Sequence, residues 1–382
     1  MKKPLSFEQG PIRPPSEAHS LLLRFTRNCS WNKCLFCPVY KNRKFSRRTV
    51  EEVKTDIDTA AEMISHIKEV SWKMGFSGRV TREVAQAFFD QELPQSYLSV
   101  VAWMYYQTGA VFLQDANNLI IDTDKLVEML EYLHQKISGI TRVTSYSRSA
   151  TVARKSQDDL IRIREAGLNR IHIGLESGCD PVLDFMRKGV TGDVHIKAGQ
   201  MVKAAGMELS EYYMPGLGGR KHWKEHAIDS ARVLNAIDPD FIRLRTLRIP
   251  DRTDLFGKLA DGEFEMLTDD EVVEEIRLFI ENLNGIHSYF ASDHIMNLLQ
   301  DVEGTLPRDK DFLLEVIDRY LALSHEERLH YRLGRRMGLY HGVADMARPE
   351  LAQRVENALE QIKTQHPDDV ESVLNELANS TV

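Results

Sequence analysis

Residues 21–38 read LLLRFTRNCSWNKCLFCP and join an apolar stretch to three cysteines within nine positions. The first part, from Leu21 to Thr26, is rich in apolar residues and has the length of a buried β-strand. Cys29, Cys34 and Cys37 follow in a C-x4-C-x2-C arrangement. Thiols this close together in a chain without a disulfide framework are typical of a metal site, so the segment predicts a strand that leads into a metal-binding loop.

The cysteine count separates the possible uses of these thiols. The chain has only four cysteines, and the fourth, Cys179, lies far downstream. A disulfide framework needs paired cysteines, an oxidising compartment and usually a small scaffold, none of which fits this chain. Structural zinc needs four ligands, yet neither His19 nor His66 is close to the loop in sequence. A 4Fe–4S cluster on three cysteines leaves one iron open for chemistry, and a zinc knuckle that borrows a distant ligand is the alternative.

A strand-then-helix alternation continues downstream of the cysteine loop. Thr49 and Glu52 form a capping-box signal, and apolar residues at helical spacing follow as far as Ile67. The predicted strands are Leu21 to Thr26, Val111 to Leu113, Ile140 to Tyr146, Arg170 to Gly174, Met207 to Met214 and Phe241 to Leu247. Six such units predict a parallel sheet covered by helices, while the pattern leaves an open sheet and a partial barrel undecided.

Two stretches interrupt this alternation. Residues 68–109 form an insertion rich in aromatic side chains, and from about Lys310 the pattern indicates helices only. We therefore predict the following division of the chain: an N-terminal lead (1–20), an α/β region (21–250) that contains the insertion, a closing segment (251–310) and a C-terminal helical subdomain (311–382).

The composition places the chain in a broad class. With 382 residues, 42% of them hydrophobic and 28% charged, it can bury a sizeable core, which excludes disordered and fibrous proteins. A net charge of −8 argues against a general nucleic-acid coat or a basic membrane-surface protein. The longest nearly apolar run, Leu98 to Tyr106, is far short of the ~20 residues that span a bilayer, and the first fifteen residues lack the apolar core of a secretory signal. We expect a cytoplasmic globular protein without a membrane partner.

The strand, the three-cysteine loop with Phe36 just before the last cysteine, and the βα series that follows resemble the radical S-adenosylmethionine (SAM) superfamily. Four residues separate the first two cysteines here, whereas three is the commonest family spacing; the longer spacing also occurs in the Elongator catalytic subunit. Residues 20–310 are most similar to radical SAM proteins related to the Elongator and methylthiotransferase branch. The resemblance implies an enzyme with a partial (β/α)6 TIM-like barrel of parallel strands over residues 21–250, followed by the C-terminal helical subdomain.

The resemblance also implies the cofactors and their chemistry. Cys29, Cys34 and Cys37 would bind three irons of a 4Fe–4S cluster, and the amino and carboxylate groups of SAM would chelate the fourth. The reduced cluster would pass one electron to SAM, whose cleavage gives methionine and a 5′-deoxyadenosyl radical that takes a hydrogen from the substrate. A flavodoxin- or ferredoxin-type protein would supply the electron.

The family's SAM contacts can be carried over by position. Phe36 would lie beside the adenine, and Asp115 would receive the SAM ammonium where the family has a glutamate after two glycines. Glu176 would hold the ribose hydroxyls, and Gly216, in the stretch MPGLGG, would lie near the adenine. Strand ends support these positions independently, because ligands collect at the carboxyl ends of parallel strands. The residues at or just past predicted strand ends, all of which we assign to cofactor binding, are Asp115, Ser145, Glu176, Gly216 and Arg245.

Three residues are weaker candidates for a catalytic role. Arg245 shares one face of the sixth strand with Arg243, and we place Arg245 deeper in the site, with surface salt bridges as the alternative. Cys179 could donate a hydrogen or anchor the substrate, although a lone cysteine is more often a small buried hydrophobe. His294 could act as an acid or base, with a structural histidine as the alternative.

Three functions remain open on the sequence. The first is a radical SAM enzyme acting on a small molecule, favoured because no RNA-binding or acetyltransferase domain is evident. The second modifies tRNA or a peptide through the basic loop at residues 41–48 and the arginines between Tyr331 and Arg336. The third is a non-catalytic zinc or iron–sulfur protein. Sulfur insertion is disfavoured, since the family typically uses a second cluster for it and no second cysteine cluster is present.

Overall fold

The computed structural model describes residues 4–366 and 369–379. The strands in these ranges are β1 (Leu21–Arg24), β2 (Thr26–Arg27), β3 (Ser46–Arg47), β4 (Ala110–Gln114), β5 (Arg142–Ser147), β6 (Leu168–Glu176), β7 (Glu208–Tyr213), β8 (Phe241–Leu244), β9 (Tyr289–Ala291) and β10 (Gly304–Thr305). The α-helices are α1 (Val50–Lys73), α2 (Arg82–Phe89), α3 (Gln95–Tyr106), α4 (Thr123–Lys136), α5 (Ser149–Val152), α6 (Gln157–Glu165), α7 (Asp180–Phe185), α8 (Gly192–Ala204), α9 (Gly219–Ile237), α10 (Asp254–Ala260), α11 (Asp269–Glu281), α12 (Lys310–Leu321), α13 (His325–Arg336), α14 (Pro349–Gln365) and α15 (Val370–Asn379).

Eight strands form one sheet in the order β1-β4-β5-β6-β7-β8-β9-β10, and β2 pairs with β3 separately. The pairs β1–β4, β4–β5, β5–β6, β7–β8 and β8–β9 are parallel, and β9–β10 is antiparallel. Each strand of the sheet lies beside its predecessor in the chain, with helices in most of the connections, as in a (β/α) barrel. The predicted α/β class with a mostly parallel, TIM-like strand arrangement is confirmed.

The strand boundaries differ from the prediction at the end of the sheet. The sixth predicted strand ends at Leu244 rather than Leu247. The backbone amide of Leu247 still donates to the carbonyl of Pro215 at 2.9 Å, but a proline has no N–H with which to continue a ladder. Strands β9 and β10 have only three and two residues, too few for their alternation to be visible in the sequence.

The described residues divide by their internal contacts into two compact units. The first comprises the chain up to Asn32, Val39–Ile173 and Ala198–Leu209. The second comprises Lys33–Pro38, Gly174–Lys197 and the chain from Ser210 onward. The cysteine loop is divided between them, with Cys29 in the first unit. The division into lead, α/β region, closing segment and helical subdomain remains a prediction.

Helix α1 opens the helical layer of the first unit as its sequence predicted. The Thr49 hydroxyl accepts a hydrogen bond from the Glu52 amide at 3.1 Å, and the Glu52 carboxylate accepts one from the Thr49 amide at 2.8 Å. The aromatic insertion packs against this helix. The Tyr97 hydroxyl forms a hydrogen bond of 2.5 Å with His66 Nδ1, and the Tyr97 ring stacks on Phe88. Phe88, Tyr97 and Trp103 of the insertion belong to the core, whereas Trp72, Phe89, Tyr105 and Tyr106 are exposed.

Buried arginines hold helix α13 in the second unit. Arg335 donates to the carbonyls of Leu298, Asn297 and Tyr340 at 2.9, 3.0 and 2.7 Å. Arg332 forms a salt bridge with Glu371. The hypothesis that the arginines of this segment contact tRNA is wrong for these two residues, because their guanidinium groups are buried and occupied within the protein.

No helix in residues 4–366 and 369–379 combines the length and the apolar content that crossing a membrane requires.

Candidate active site

In the first unit, Asp115 follows β4 and is completely buried. Its Oδ2 atom accepts hydrogen bonds from Arg24 Nε at 2.7 Å and from the Asn28 amide at 3.1 Å. Its Oδ1 atom has no hydrogen-bond partner among the described residues. A buried acceptor without a donor is costly, so this carboxylate is half satisfied and retains the capacity to bind a cation or N–H donor.

An N-terminal segment covers this carboxylate. The backbone amide of Gly10 donates to the Gln114 side chain at 2.9 Å, and that side chain donates back to the Gly10 carbonyl at 3.0 Å. Glycine is required here, since a Cβ on Gly10 would lie 2.0 Å from Asp115 Oδ1. Glu8 accepts from Arg24 at 2.9 Å, so the segment and Asp115 share one guanidinium.

Two asparagines shape the beginning of the cysteine loop. Asn28 and Asn32 have left-handed backbones with φ of 66° and 51°, a conformation that asparagine tolerates better than most residues. The Asn28 side chain donates to the Lys44 carbonyl at 2.7 Å, and the Asn32 amide lies 3.4 Å from Cys29 Sγ. These contacts fix the position of the Cys29 thiol.

Tyr40 is buried beside this group. Burial and, after it, the charge of Asp115 raise the pKa of the Tyr40 hydroxyl, with a further contribution from Cys29. Tyr40 is therefore a neutral phenol at any physiological pH and adds no negative charge next to the carboxylate.

Ser145 is fully buried and engaged in structure. Its hydroxyl accepts from the Asn118 side chain at 3.0 Å and donates to the Tyr146 carbonyl at 3.0 Å. The same Asn118 side chain donates to the Leu113 carbonyl at 2.8 Å. Ser145 thus ties the ends of β4 and β5 together, and its assignment to cofactor binding remains a prediction.

In the second unit, a buried leucine anchors the turn that carries Cys34 and Cys37. Leu35 is 3% exposed; its amide donates to the Met186 carbonyl at 3.1 Å and its carbonyl accepts from the Leu255 amide at 3.0 Å. The Cys37 amide is 3.4 Å from the Cys34 carbonyl, which closes the turn. The two thiols consequently project from a fixed backbone.

Three predicted or neighbouring side chains meet next to this turn. Lys188 Nζ lies 3.0 Å from Glu176 Oε1 and 5.7 Å from the centre of the Phe36 ring. Glu176 has a left-handed backbone with φ of 62°, and its carbonyl accepts from the Met214 amide at 3.0 Å. The structure therefore places the proposed adenine neighbour Phe36 and the proposed ribose ligand Glu176 around one lysine.

A buried polar network connects the Glu176 loop to the glycine-rich stretch. His226 Nδ1 is 2.8 Å from the Ser177 hydroxyl, and its Nε2 is 3.0 Å from the Met214 carbonyl. Glu275 Oε1 accepts from the Gly216 amide at 2.9 Å and from the Tyr213 hydroxyl at 2.8 Å. Gly216 itself has a φ of 87°, which favours glycine. The network holds both predicted cofactor loops from behind.

Burial sets the ionisation of this network. It raises the pKa of Glu275 to about 8, against the effect of the bonds from Gly216 and Tyr213. It also lowers the pKa of His226 to about 4. At neutral pH the histidine is uncharged, and the carboxyl is mostly protonated.

The weaker candidates have distinct surroundings. Cys179 is 1% exposed in an apolar cluster, where burial raises its thiol pKa to about 11, as expected of a structural cysteine. Burial and the charge of Arg245 lower the pKa of His294 to about 4, and its Nδ1 accepts from the Met296 amide at 3.3 Å. His294 is therefore neutral at pH 7, and its proton is not available for acid catalysis.

Of the two arginines Arg243 and Arg245, the one expected to be more buried is the more exposed. Arg243 is 7% exposed and paired with Asp293 at 2.7 Å, while Arg245 is exposed. The prediction that Arg245 lies deeper is wrong, because β8 ends at Leu244 and the chain leaves the sheet there.

The three loop cysteines offer the thiolate donors that bind iron–sulfur clusters. None of the three loop cysteines is in a disulfide, and all three are half-buried. Among the described residues, no three His, Cys, Asp or Glu side chains converge to hold one metal ion. Zinc would need four converging ligands, whereas in a 4Fe–4S cluster each cysteine binds a separate iron. The unpartnered Oδ1 of Asp115 likewise fits the ammonium of SAM.

Sequence reasoning missed several polar residues of these groups. Arg24 ends β1 and Lys188 follows α7, and neither belongs to a motif that the sequence singled out. Arg24 could have been found by the strand-end rule that identified Asp115. His226 and Glu275 lie within amphipathic helices, where nothing in the sequence distinguishes them from surface residues.

Comparisons with known proteins bear on this site. Residues 89–231 match the family model of the radical SAM superfamily, a stretch that begins after the cysteine loop. The tRNA uridine(34) acetyltransferase of Methanocaldococcus jannaschii is 23% identical over 121 residues, 31% of this chain and 22% of that protein. The tRNA uridine(34) acetyltransferase of Methanocaldococcus infernus is 24% identical over 122 residues, 32% of this chain and 23% of that protein. The chain thus matches less than a quarter of the length of these curated relatives.

Among solved structures, methylornithine synthase aligns over 70% of this chain and 65% of its own with a TM-score of 0.41 and 18% identity.

Residues 89–231, which carry part of the parallel sheet, thus match the radical SAM superfamily, as the sequence predicted. Within that superfamily the chain is related to the Elongator catalytic subunit, as its sequence predicted. Such proteins are enzymes that use a 4Fe–4S cluster and SAM and that require a reductant and a substrate. The predicted enzyme class, 4Fe–4S cluster and SAM are consistent with this matched domain.

Proposed function

We propose that the protein cleaves SAM with a cluster bound by Cys29, Cys34 and Cys37 and directs the resulting radical to a small molecule. The residues that would hold SAM are Phe36, Asp115, Ser145, Glu176 and Gly216, whereas Arg245, which is exposed, would bind the substrate. When bound, the cluster and SAM supply the electron transfer and the radical. The protein's own residues bind, orient and exclude water.

The half-satisfied carboxylate of Asp115 is the observation that supports SAM binding most directly. A fully buried Oδ1 without a donor is an unused acceptor for one charge-assisted hydrogen bond from an ammonium group. Arg24 already donates to Oδ2 and holds the carboxylate in its orientation. Asp115 would fix the amino end of SAM once the segment around Gly10 that covers it is displaced.

Phe36, Lys188 and Glu176 would serve the nucleoside end. Phe36 offers a flat ring, and the Glu176 carboxylate offers two acceptors for ribose hydroxyls. Lys188 pairs with one of those oxygens at 3.0 Å, which restricts the rotation of the Glu176 side chain. Lys188 is thus a positioning residue in this proposal.

The exposed guanidinium of Arg245 supports an anionic small molecule as the substrate. It is exposed beyond the end of β8 and has no ion-pair partner among the described residues, whereas its neighbour Arg243 is occupied by Asp293. A free guanidinium can bind a carboxylate or phosphate in bidentate fashion. The electron donor would be an acidic flavodoxin- or ferredoxin-type protein that docks on the basic loop at residues 41–48.

A tRNA substrate is the second candidate, because both curated relatives are named tRNA uridine(34) acetyltransferases. The structure narrows the surfaces available to it. Arg332 and Arg335 are buried, and Arg48 in the basic loop is buried with Asp56 as its partner. The other basic residues of that loop, Lys41, Arg43, Lys44 and Arg47, are exposed or half-buried, so this loop is the surface at which tRNA would bind.

The cluster ligands can be tested without turnover. Anaerobic reconstitution should give wild-type protein with about four irons and four sulfides per chain, by the definition of a 4Fe–4S cluster. Each of Cys29→Ala, Cys34→Ala and Cys37→Ala should lose most of that content, and Cys179→Ala should keep it. Full iron and sulfide in the three loop variants would contradict the assignment.

The substrate class is tested by binding. Gel shifts with bulk tRNA at low and high salt should show no tight complex for wild-type protein. A tight complex that weakens steeply with salt and is lost in a Lys41→Ala, Lys44→Ala variant would favour the tRNA alternative.

A further inference from the structure

A cavity lies at the opposite end of the strands from the predicted cofactor residues. It has a volume of about 450 Å³ and lies entirely within the first unit. Gly109 and Thr141 line it just before β4 and β5, so it adjoins the amino ends of these strands. The volume is within the usual range of small-molecule sites. Nothing in the proposed radical chemistry uses it.

The charges that line this cavity are all positive. Lys68, Arg79 and Lys136 are on its wall, and no Asp or Glu is among the lining residues. Lys136 lies 3.3 Å from Asp58, so its charge is partly compensated. Lys68 and Arg79 have no ion-pair partner among the described residues. Both side chains are exposed, so in a chain with a net charge of −8 this wall presents two solvent-facing cations without a carboxylate partner.

A buried donor on the same wall also lacks a partner. Trp103 is 7% exposed, and its indole Nε1 makes no hydrogen bond to any described residue. An indole N–H can only donate, and leaving it unpaired when buried is unfavourable. The cavity therefore offers cations and an N–H group, which are donors, to whatever fills it.

Helix ends do not account for this pattern. The carbonyl groups at the end of α4 favour a cation in the last turn, and Lys136 is placed there. Arg79 lies outside any helix, in the connection between α1 and α2, and Lys68 precedes the last turn of α1. Neither charge is placed to interact with the carbonyl groups at a helix end, so an external anion is the partner that would fit them.

We propose that this cavity binds a small phosphorylated molecule. Lys68 and Arg79 would neutralise the phosphate, and Trp103 Nε1 would donate to one of its oxygens. Ile64, Val80 and Met104 on the same wall would cover an apolar or ring-shaped remainder of the ligand. The site is separate from the residues proposed to bind SAM.

Phenyl phosphate is the probe that combines both features, with inorganic phosphate and phenol as its two halves. Binding to the reconstituted holoenzyme is measured by calorimetry in phosphate-free buffer, with saturating SAM so that the proposed cofactor site is filled. We expect saturable binding of phenyl phosphate, weaker binding of phosphate and none of phenol. Added salt should weaken the binding.

Matched variants locate the site. Lys68→Ala and Arg79→Ala should each raise the Kd at least tenfold, and Trp103→Phe should raise it several-fold while the ring is kept. Lys73→Ala removes an exposed cation from the same helix that does not line the cavity, and it should leave the Kd within twofold. Unchanged thermal unfolding would show that the exposed variants fold normally.

Three results would overturn the proposal: no saturable binding of phenyl phosphate at millimolar concentration, binding that Lys68→Ala and Arg79→Ala leave unchanged, or binding of tRNA alone that these variants abolish. The last would make the surface an RNA interface. Because the readout is ligand binding, repeating it on protein without a cluster separates its failure from failure of the proposed function.

Discussion

At the scale of single residues, Asp115 connects the sequence to the proposed chemistry. One oxygen holds Arg24 and the other has no partner in the described part of the chain. Strand-end reasoning could identify Asp115, because its position depends only on where β4 stops. It could not identify the pairing with Arg24, because that contact depends on how β1 and β4 come together.

Asp115→Asn should weaken SAM binding roughly 10–100-fold, because a charge-assisted hydrogen bond contributes about 1.5–3 kcal/mol. Equilibrium dialysis of SAM with reconstituted protein measures the effect. Glu8→Gln is the matched control, since Glu8 is the other carboxylate on Arg24. It should leave SAM affinity within a few-fold, and equal losses in both variants would show that Arg24, not Asp115, matters.

The Glu275 carboxyl predicts a pH dependence of stability. Its pKa is raised to about 8 in the folded protein, against about 4.3 in an unfolded chain, so the folded state retains a proton that the unfolded state has lost. Stability therefore falls as pH rises from about 4.3 towards 8. His226, with its pKa lowered to about 4, opposes this trend only below about 6.5.

Between pH 6.5 and 8, wild-type protein should consequently lose roughly 1–2 kcal/mol from this carboxyl. Glu275→Gln should reduce that loss, because glutamine does not titrate. Urea unfolding at several pH values gives both slopes. Identical slopes for the two proteins would mean that Glu275 is ionised in the folded state.

At the scale of elements, the capping box of α1 was visible in the sequence and is formed in the structure. Thr49→Ala should reduce the free energy of unfolding by about 1 kcal/mol, because it leaves the Glu52 amide without its acceptor. Thr55→Ala, on the exposed side of the same helix, should change it by less than about 0.5 kcal/mol. Urea unfolding measures both, and equal effects would contradict a role for the cap.

Helix α13 shows what the sequence could not predict. Its arginines look like a charged surface in the sequence, but Arg336 and Arg248 share the buried carboxylate of Asp269 at 2.9 and 3.0 Å. Which side of such a helix is buried depends on contacts with residues far away in the chain. Because Arg336 lies far from Asp269 in the chain, the sequence does not indicate that the two residues pair.

Asp269→Asn should destabilise the protein by about 3–5 kcal/mol, because it leaves two buried guanidinium groups without a counter-charge. The adjacent Asp270→Asn affects a more exposed pair with Arg328 and should cost about 1 kcal/mol. Thermal or urea unfolding distinguishes the two. A loss for Asp269→Asn no larger than for Asp270→Asn would show that the network is solvated.

At the scale of the whole molecule, local sequence patterns were sufficient for the class of fold. Alternating apolar strands and amphipathic helices are local features, and six predicted strands correspond to strands of the sheet. The short strands β9 and β10, the buried arginines and the network behind Glu176 all depend on long-range contacts. The cavity lined by Lys68 and Arg79 also joins residues from four separate segments, and no single segment indicates it.

The central claim is that three cysteines on one loop support reductive cleavage of SAM. The most direct measurement is the yield of 5′-deoxyadenosine from anaerobically reconstituted protein with SAM and dithionite. Wild-type protein and Cys179→Ala should form the product, and Cys34→Ala should not. Product formation by Cys34→Ala at the wild-type rate would contradict the account.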